Sequence, residues 1–176
     1  MKKVVLLTIF AALMMISSAA VAQTASGTLT VTATVNGSIQ LVFNSDAAGL
    51  ALSSGAGTNT ATLAFGNVSA FGAIAANIVR TTTASNFTVS SAVDVQVSKT
   101  NSASANYTLK AQLGAADAVN SWTVGGVAVT NAAQSTLTAT GTYAANTNFP
   151  VAITVPFTTA SGTNISNTIN YTATAN

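Results

Sequence analysis

The chain contains no cysteine, no histidine and no glutamate, and only two prolines. Each absence removes a class of chemistry. Without histidine or cysteine, the Ser–His and Cys–His nucleophile systems cannot be assembled, and nitrogen- or sulfur-ligated zinc sites are excluded. Without cysteine there are no disulfides, the usual support of small exported domains, so the fold must rest on its core, on its partners, or on both. The acids reduce to Asp46, Asp94 and Asp117, far apart in sequence. A glycosidase-type carboxylate pair would need the fold to bring two of them together, and Trp122 is the single tryptophan available to line a cleft. Isolated carboxylates are usually solvated. Asn44-Ser45-Asp46 offers one carboxylate, too few for calcium. Gly55-Ala56-Gly57 lacks the third glycine and the following helix of a dinucleotide loop. No catalytic residue, metal or cofactor is expected, and the chain is not expected to be an enzyme.

Charge is also scarce. Charged residues make up 5% of the chain, against about a quarter in ordinary soluble domains. Beyond Lys2 and Lys3, Arg80, Lys99 and Lys110 balance the three aspartates, leaving a net charge of zero. Nucleic acid is excluded as a partner by the lack of clustered Lys and Arg. A neutral surface of Thr, Ser, Asn, Ala and Gly resists association poorly, which favours a subunit built to associate over a monomer.

The start of the chain reads as an export signal. Lys2 and Lys3 precede a short apolar run, Val4 to Ile16, and Ala20-Val21-Ala22 supplies the small residues of a cleavage site. Residues 1–22 are therefore expected to be a signal peptide. The apolar run is short of the roughly 20 residues needed to span a bilayer, and no membrane span is expected after cleavage. The remaining 154 residues suffice for one domain with its own core.

What the chain has in abundance is period-2 alternation, the mark of half-buried strands. Ile39, Leu41 and Phe43 alternate, as do Phe87 and Val89, and Val93, Val95 and Val97. Tyr107 to Leu113, Val151 to Phe157 and Ile169 to Ala175 follow the same pattern. Gly125-Gly126 predicts a two-residue hairpin pairing Val124 with Val127 and Trp122 with Val129. Ser53 to Asn59 and Ala160 to Asn164 read as loops. Pro150 and Pro156 predict that their strand lies at an edge, or starts and bends at a proline. Ala70 to Arg80 is expected to form one short helix. Short strands separated by turns, each with one apolar face, predict an all-β, antiparallel β-sandwich. A closed barrel is the alternative.

One strand stands apart. Thr28 to Val35 (TLTVTATV) alternates cleanly, follows the polar opening Gln23 to Gly27, and precedes the turn signal Asn36-Gly37. Such a segment can complete another molecule's sheet, with backbone hydrogen bonds giving adhesion and alternate side chains filling the partner's core. Eight residues extend roughly 26 Å. Burying Leu29, Val31 and Val35 contributes roughly 4–8 kcal/mol before ordering costs. Applied head to tail, the contact does not close and makes a fibre.

This order of parts resembles the subunits of chaperone–usher pili, especially the archaic branch that includes spore-coat-protein-U-like domains. The residues that carry the resemblance are the alternating N-terminal TLTVTATV, the stretch Leu63 to Val68 (LAFGNV), similar to a strand end common in those subunits, and the alternating final Thr168 to Ala175 (TINYTATA). The chain departs from the pattern in having no cysteine pair, and in placing Tyr171 five residues before its end. The resemblance implies an Ig-like sandwich (residues 36–176) preceded by a donor extension (residues 23–35). It implies a pilus or fimbrial filament on the cell surface, serving adhesion or biofilm formation and reached through the periplasm. The partners it implies are further copies of the chain, a periplasmic chaperone and an outer-membrane usher. Leu29, Val31, Ala33 and Val35 would be the donor residues, and Ile169, Tyr171 and Ala173 one wall of the acceptor groove. The rival expectation is a monomeric exported sandwich that binds glycan or protein through loops, with Trp122 and Tyr143 as candidate contacts.

Overall fold

In the computed structural model, residues 26–176 are described. The expected signal peptide and residues 23–25 lie outside them. Contacts divide the chain after Thr34, and all regular structure described here belongs to the unit from Val35 to Asn176.

Among the described residues there is no helix, and eleven strands form antiparallel sheets. They are β1 (Ser38–Ser45), β2 (Val79–Thr82), β3 (Asn86–Ser91), β4 (Val93–Thr100), β5 (Tyr107–Leu113), β6 (Ser121–Val124), β7 (Val127–Val129), β8 (Ser135–Gly141), β9 (Asn146–Asn148), β10 (Val151–Pro156) and β11 (Ile169–Ala175). The sheet orders are β1-β4-β9, β2-β3-β10-β6-β7 and β11-β5-β8.

The first two sheets share one continuous ladder. Asn148 lies opposite Asp94 and Val151 opposite Ser91, so β3–β4 and β9–β10 keep a single register through the break at Ala92. The Phe149 amide spans that break by donating to the Val93 carbonyl (2.8 Å). The alternation expected from sequence appears directly as burial. Val93, Val95 and Val97 of β4, Tyr107 to Leu113 of β5, and Val151, Ile153 and Val155 of β10 turn one face each into a common core. Antiparallel sheets closed on one core are what a β-sandwich requires.

The hairpin at Gly125-Gly126 forms as expected, with Trp122 opposite Val129 and Val124 opposite Val127. Both glycines carry positive φ, 58° and 80°, as a two-residue turn of this kind demands.

Of the two courses expected for the proline-flanked strand, β10 takes the start at a proline: it begins directly after Pro150 and ends at Pro156, and it is not at an edge, since it pairs with β3 on one side and β6 on the other. Two local expectations are corrected. Ala70 to Arg80 is not a helix. Gly72 (φ 86°) and Asn77 (φ 66°) interrupt any helical run, and the segment ends in β2. Side chains fix this path: Arg80 donates to the Ser69 and Gly72 carbonyls (both 2.8 Å), and Asn77 Nδ2 to the Gly49 carbonyl (3.0 Å). Asn36-Gly37 takes part in no turn, and neither residue has the positive φ of a primed two-residue hairpin. Gly37 instead lies against the Asn101 carbonyl, where a Cβ would come within 2.6 Å.

Candidate functional site

The core is open along one side. β11 takes β5 as its sheet neighbour and β1 takes β4. The other edge of each lines a groove of about 1950 Å³.

Strand parity shows what those edges present. In β11, Thr168 and Asn176 bond toward β5, through the Gly114 amide to the Thr168 carbonyl (2.7 Å) and the Asn176 amide to the Asn106 carbonyl (3.1 Å). The alternate residues, Ile169, Tyr171 and Ala173, therefore aim their N–H and C=O groups away from β5. Their side chains face the core, opposite Leu113, Ala111 and Leu109. In β1, Phe43 is bonded on the edge away from β4: its amide donates to the Thr58 carbonyl (2.8 Å), and the Gly57 amide donates to its carbonyl (2.6 Å). Ile39 and Leu41 share that parity, so their backbone groups point to the same open edge. Leu41 and Phe43 pack on the core opposite Val97 and Val95.

The two walls run in opposite directions. β1 begins, and β11 ends, at the loop joining β4 to β5: Gly37 touches Asn101, and Asn176 bonds Asn106. The walls meet at an edge-to-face contact of Phe43 with Tyr171, ring centroids 5.0 Å apart. Burial there pushes the Tyr171 phenol up from its ordinary value. Beyond that contact the groove floor is core: Val89, Val93, Ile153 and Val155 line it. Leu63 and Phe65 add a further wall through a half-buried, period-2 segment. The side chains of β1 and β11 that border the groove are only half-buried, whereas those of β4 and β5 behind them are fully buried.

Of the expected wall residues, Ile169 and Tyr171 line the groove and Ala173 lies further along the same strand face. LAFGNV is not a ladder strand, yet Leu63, Phe65 and Val68 of that stretch pack on the core. The second wall, β1 with residues 61–68, was not anticipated as such. The alternation of Ile39, Leu41 and Phe43, continued by Ala61, Leu63 and Phe65, was its signal.

The segment Thr28 to Val35 forms no strand. Leu29, Val31 and Val35 are 88, 81 and 73% exposed, and Ala33 is exposed as well.

The other candidates fall elsewhere. Trp122 is 6% exposed, and its indole N–H donates to Asp117 Oδ2 (2.8 Å). Tyr143 is half-buried against Tyr107, and its hydroxyl donates to the Asn106 carbonyl (3.1 Å). The fold does bring two aspartates together. Asn148 Nδ2 donates to Asp46 Oδ2 (2.9 Å) and Asp94 Oδ1 (3.3 Å). That pair sits beside Asn44 on the outward side of β1 and β4, and neither carboxylate lines the groove. Asp117 is a structural anchor. Its slight burial would raise its pKa, but donors from Asn120, Trp122 and Val119 outweigh this and hold it at about 2.

No family model, no curated protein and no solved structure matches this chain.

Proposed function

We propose that the chain is a structural subunit of an extracellular filament. It is an Ig-like sandwich lacking the strand that would close its core, and it polymerises by donating residues 28–35 to the groove of the next subunit. One observation carries the reading. A groove with an apolar floor, bordered by the open edges of two strands, occurs in the same chain as an alternating segment with no sheet of its own.

An unfilled edge of this length invites pairing. A strand entering the groove can hydrogen-bond to the open edge of β11 at Ile169 and Tyr171, or of β1 at Ile39 and Leu41, and bury alternate side chains in the floor. Leu29, Val31, Ala33 and Val35 would supply those side chains, and near-zero charge removes the repulsion that would oppose assembly. Export through the signal peptide would take the chain to the periplasm. A chaperone and an outer-membrane usher are the assembly partners implied there, and the filament on the cell surface would serve adhesion or biofilm formation. The binding-module reading loses support from Trp122, which is buried and anchored rather than displayed.

Negative-stain microscopy of the purified mature protein tests the proposal. Filaments should form with the wild type and fail with Val31→Asp, which places a charge in the apolar floor. Filaments unchanged by Val31→Asp would refute it.

A further inference from the structure

We propose that Asn36-Gly37 is a self-modifying site, where the Asn36 side-chain amide is lost as ammonia and aspartate or isoaspartate is left in its place. The dipeptide is the single Asn-Gly of the chain. It carries a turn signal, yet the fold does not use it as a turn.

The reaction needs no enzyme and no cofactor. The Gly37 backbone nitrogen gives up its proton and attacks the Asn36 side-chain carbonyl carbon. A C–N bond forms, the bond from that carbon to the amide nitrogen breaks, and ammonia leaves with the proton Gly37 gave up. The product is a five-membered succinimide. Water then opens the ring. Attack at the side-chain carbonyl gives aspartate, and attack at the main-chain carbonyl gives isoaspartate, whose backbone runs through the side chain. Water replaces ammonia, and nothing is oxidised or reduced.

Three features of the structure support this. The first is access to the ring-closing geometry. A side chain on the following residue crowds the attacking nitrogen, and glycine has none. The second is freedom. Asn36 and Gly37 are both exposed and stand before the ladder, which begins with Ser38 opposite Thr100. Among the described residues the Gly37 amide enters no backbone hydrogen bond, so the attacking nitrogen is unengaged. The third is contrast. Asn77, Asn120 and Asn148 commit their side-chain amides to the Gly49 carbonyl, to Asp117, and to Asp46 with Asp94. Asn101 and Asn131 are as exposed as Asn36, but Ser102 and Ala132 follow them, each with a Cβ in the way.

The product carries a new carboxylate one residue from Val35. Beyond residue 22, three basic residues then face four acidic ones instead of three. A neutral surface resists association poorly, so a reacted chain gains a repulsion that the fresh chain lacks, and its competence to assemble falls with age. That consequence rests on the filament reading; the reaction itself does not.

The test incubates the purified mature chain, kept dilute and monomeric, in water enriched in heavy oxygen at neutral and mildly alkaline pH. Tandem mass spectrometry of the digested chain locates the labelled acid, and a synthetic peptide of residues 32–41 is treated alongside. Asn36 should be converted at least about tenfold faster than Asn101 or Asn131, and at a rate within about tenfold of the peptide's. Conversion should be faster at the alkaline pH, where the Gly37 nitrogen loses its proton more readily. Asn36→Gln, which must close a larger ring, should remove the label from residue 36 and leave Asn101 and Asn131 unchanged. Conversion of Asn36 no faster than theirs would overturn the proposal. So would a native rate more than about tenfold below the peptide's, since the packing of Gly37 on the Asn101 carbonyl would then be holding the nitrogen out of reach. The label is read on the monomer, so the result stands whether or not filaments form.

Discussion

Truncating Leu41 should cost more after the groove is filled than before. Leu41 stands on the β1 wall, half-buried, opposite fully buried Val97. Leu109 is wholly buried on β5. A Leu→Ala change at a fully buried site typically costs about 2–5 kcal/mol, as transfer energy and cavity combined. At a half-buried site about half the transfer term is at stake and little cavity forms, which gives about 1–2 kcal/mol. An incoming strand seated beside Leu41 covers its exposed half, so the cost should rise toward the fully buried range. Leu109 gains no new neighbour, and its cost should stay the same. The assay is urea unfolding of a chain starting at Asn36, with and without saturating peptide 28–35. Each variant is compared with its parent under the same condition, so that the stabilisation by peptide itself cancels. The Leu41→Ala penalty should grow by at least about 1 kcal/mol with peptide, and the Leu109→Ala penalty should not change. Equal Leu41→Ala penalties in the two conditions would refute the assignment of β1 as a groove wall.

Three further outcomes follow from single sites. Asp117, ordinarily near 3.8, is held at about 2 in the folded chain, so its contribution is present above pH 4 and lost as pH falls toward 2. Asp117→Asn should lower the urea midpoint at neutral pH and flatten the acid limb of the stability profile. Tyr107 is fully buried and its hydroxyl has no hydrogen-bond partner among the described residues. Tyr107→Phe should therefore be neutral or stabilising by up to about 1 kcal/mol in thermal unfolding, and a large loss would show that the hydroxyl is satisfied. Arg80→Ala removes the two bonds that hold the Ser69 and Gly72 carbonyls. Proteolysis between residues 66 and 74 should accelerate while global stability falls by only about 1 kcal/mol.

The sequence was most informative where burial is one-sided. β3, β4, β5, β10 and β11 show their inward residues as simple alternation, because each has one face on the core and one outside. β8 was not legible. It carries only Leu137 and Ala139 among Ser, Thr and Gly residues, and it is held by irregular pairing with β5. β2 was obscured because its first two residues closed an expected helix, where Arg80 and Asn77 instead make contacts distant in sequence that outweigh a weak local preference. Asn36-Gly37 carried a strong turn signal, yet the close approach to Asn101 uses the glycine for space rather than for positive φ. The donor segment was legible as a pattern. It forms no strand, because alternation marks a segment suited to a sheet without supplying the neighbour it would pair with. The β11 wall was visible for the same reason as the other strands, while the β1 wall needed the topology, because nothing in Ile39-Gln40-Leu41 says which of its edges stays unpaired.

The most direct test of the central claim is light scattering on two purified proteins, one starting at Gln23 and one at Asn36, the second measured with and without a peptide carrying TLTVTATV. The longer chain should form polymers, and the shorter chain should be an unstable monomer that the peptide stabilises. Two equally stable monomers, indifferent to the peptide, would contradict it.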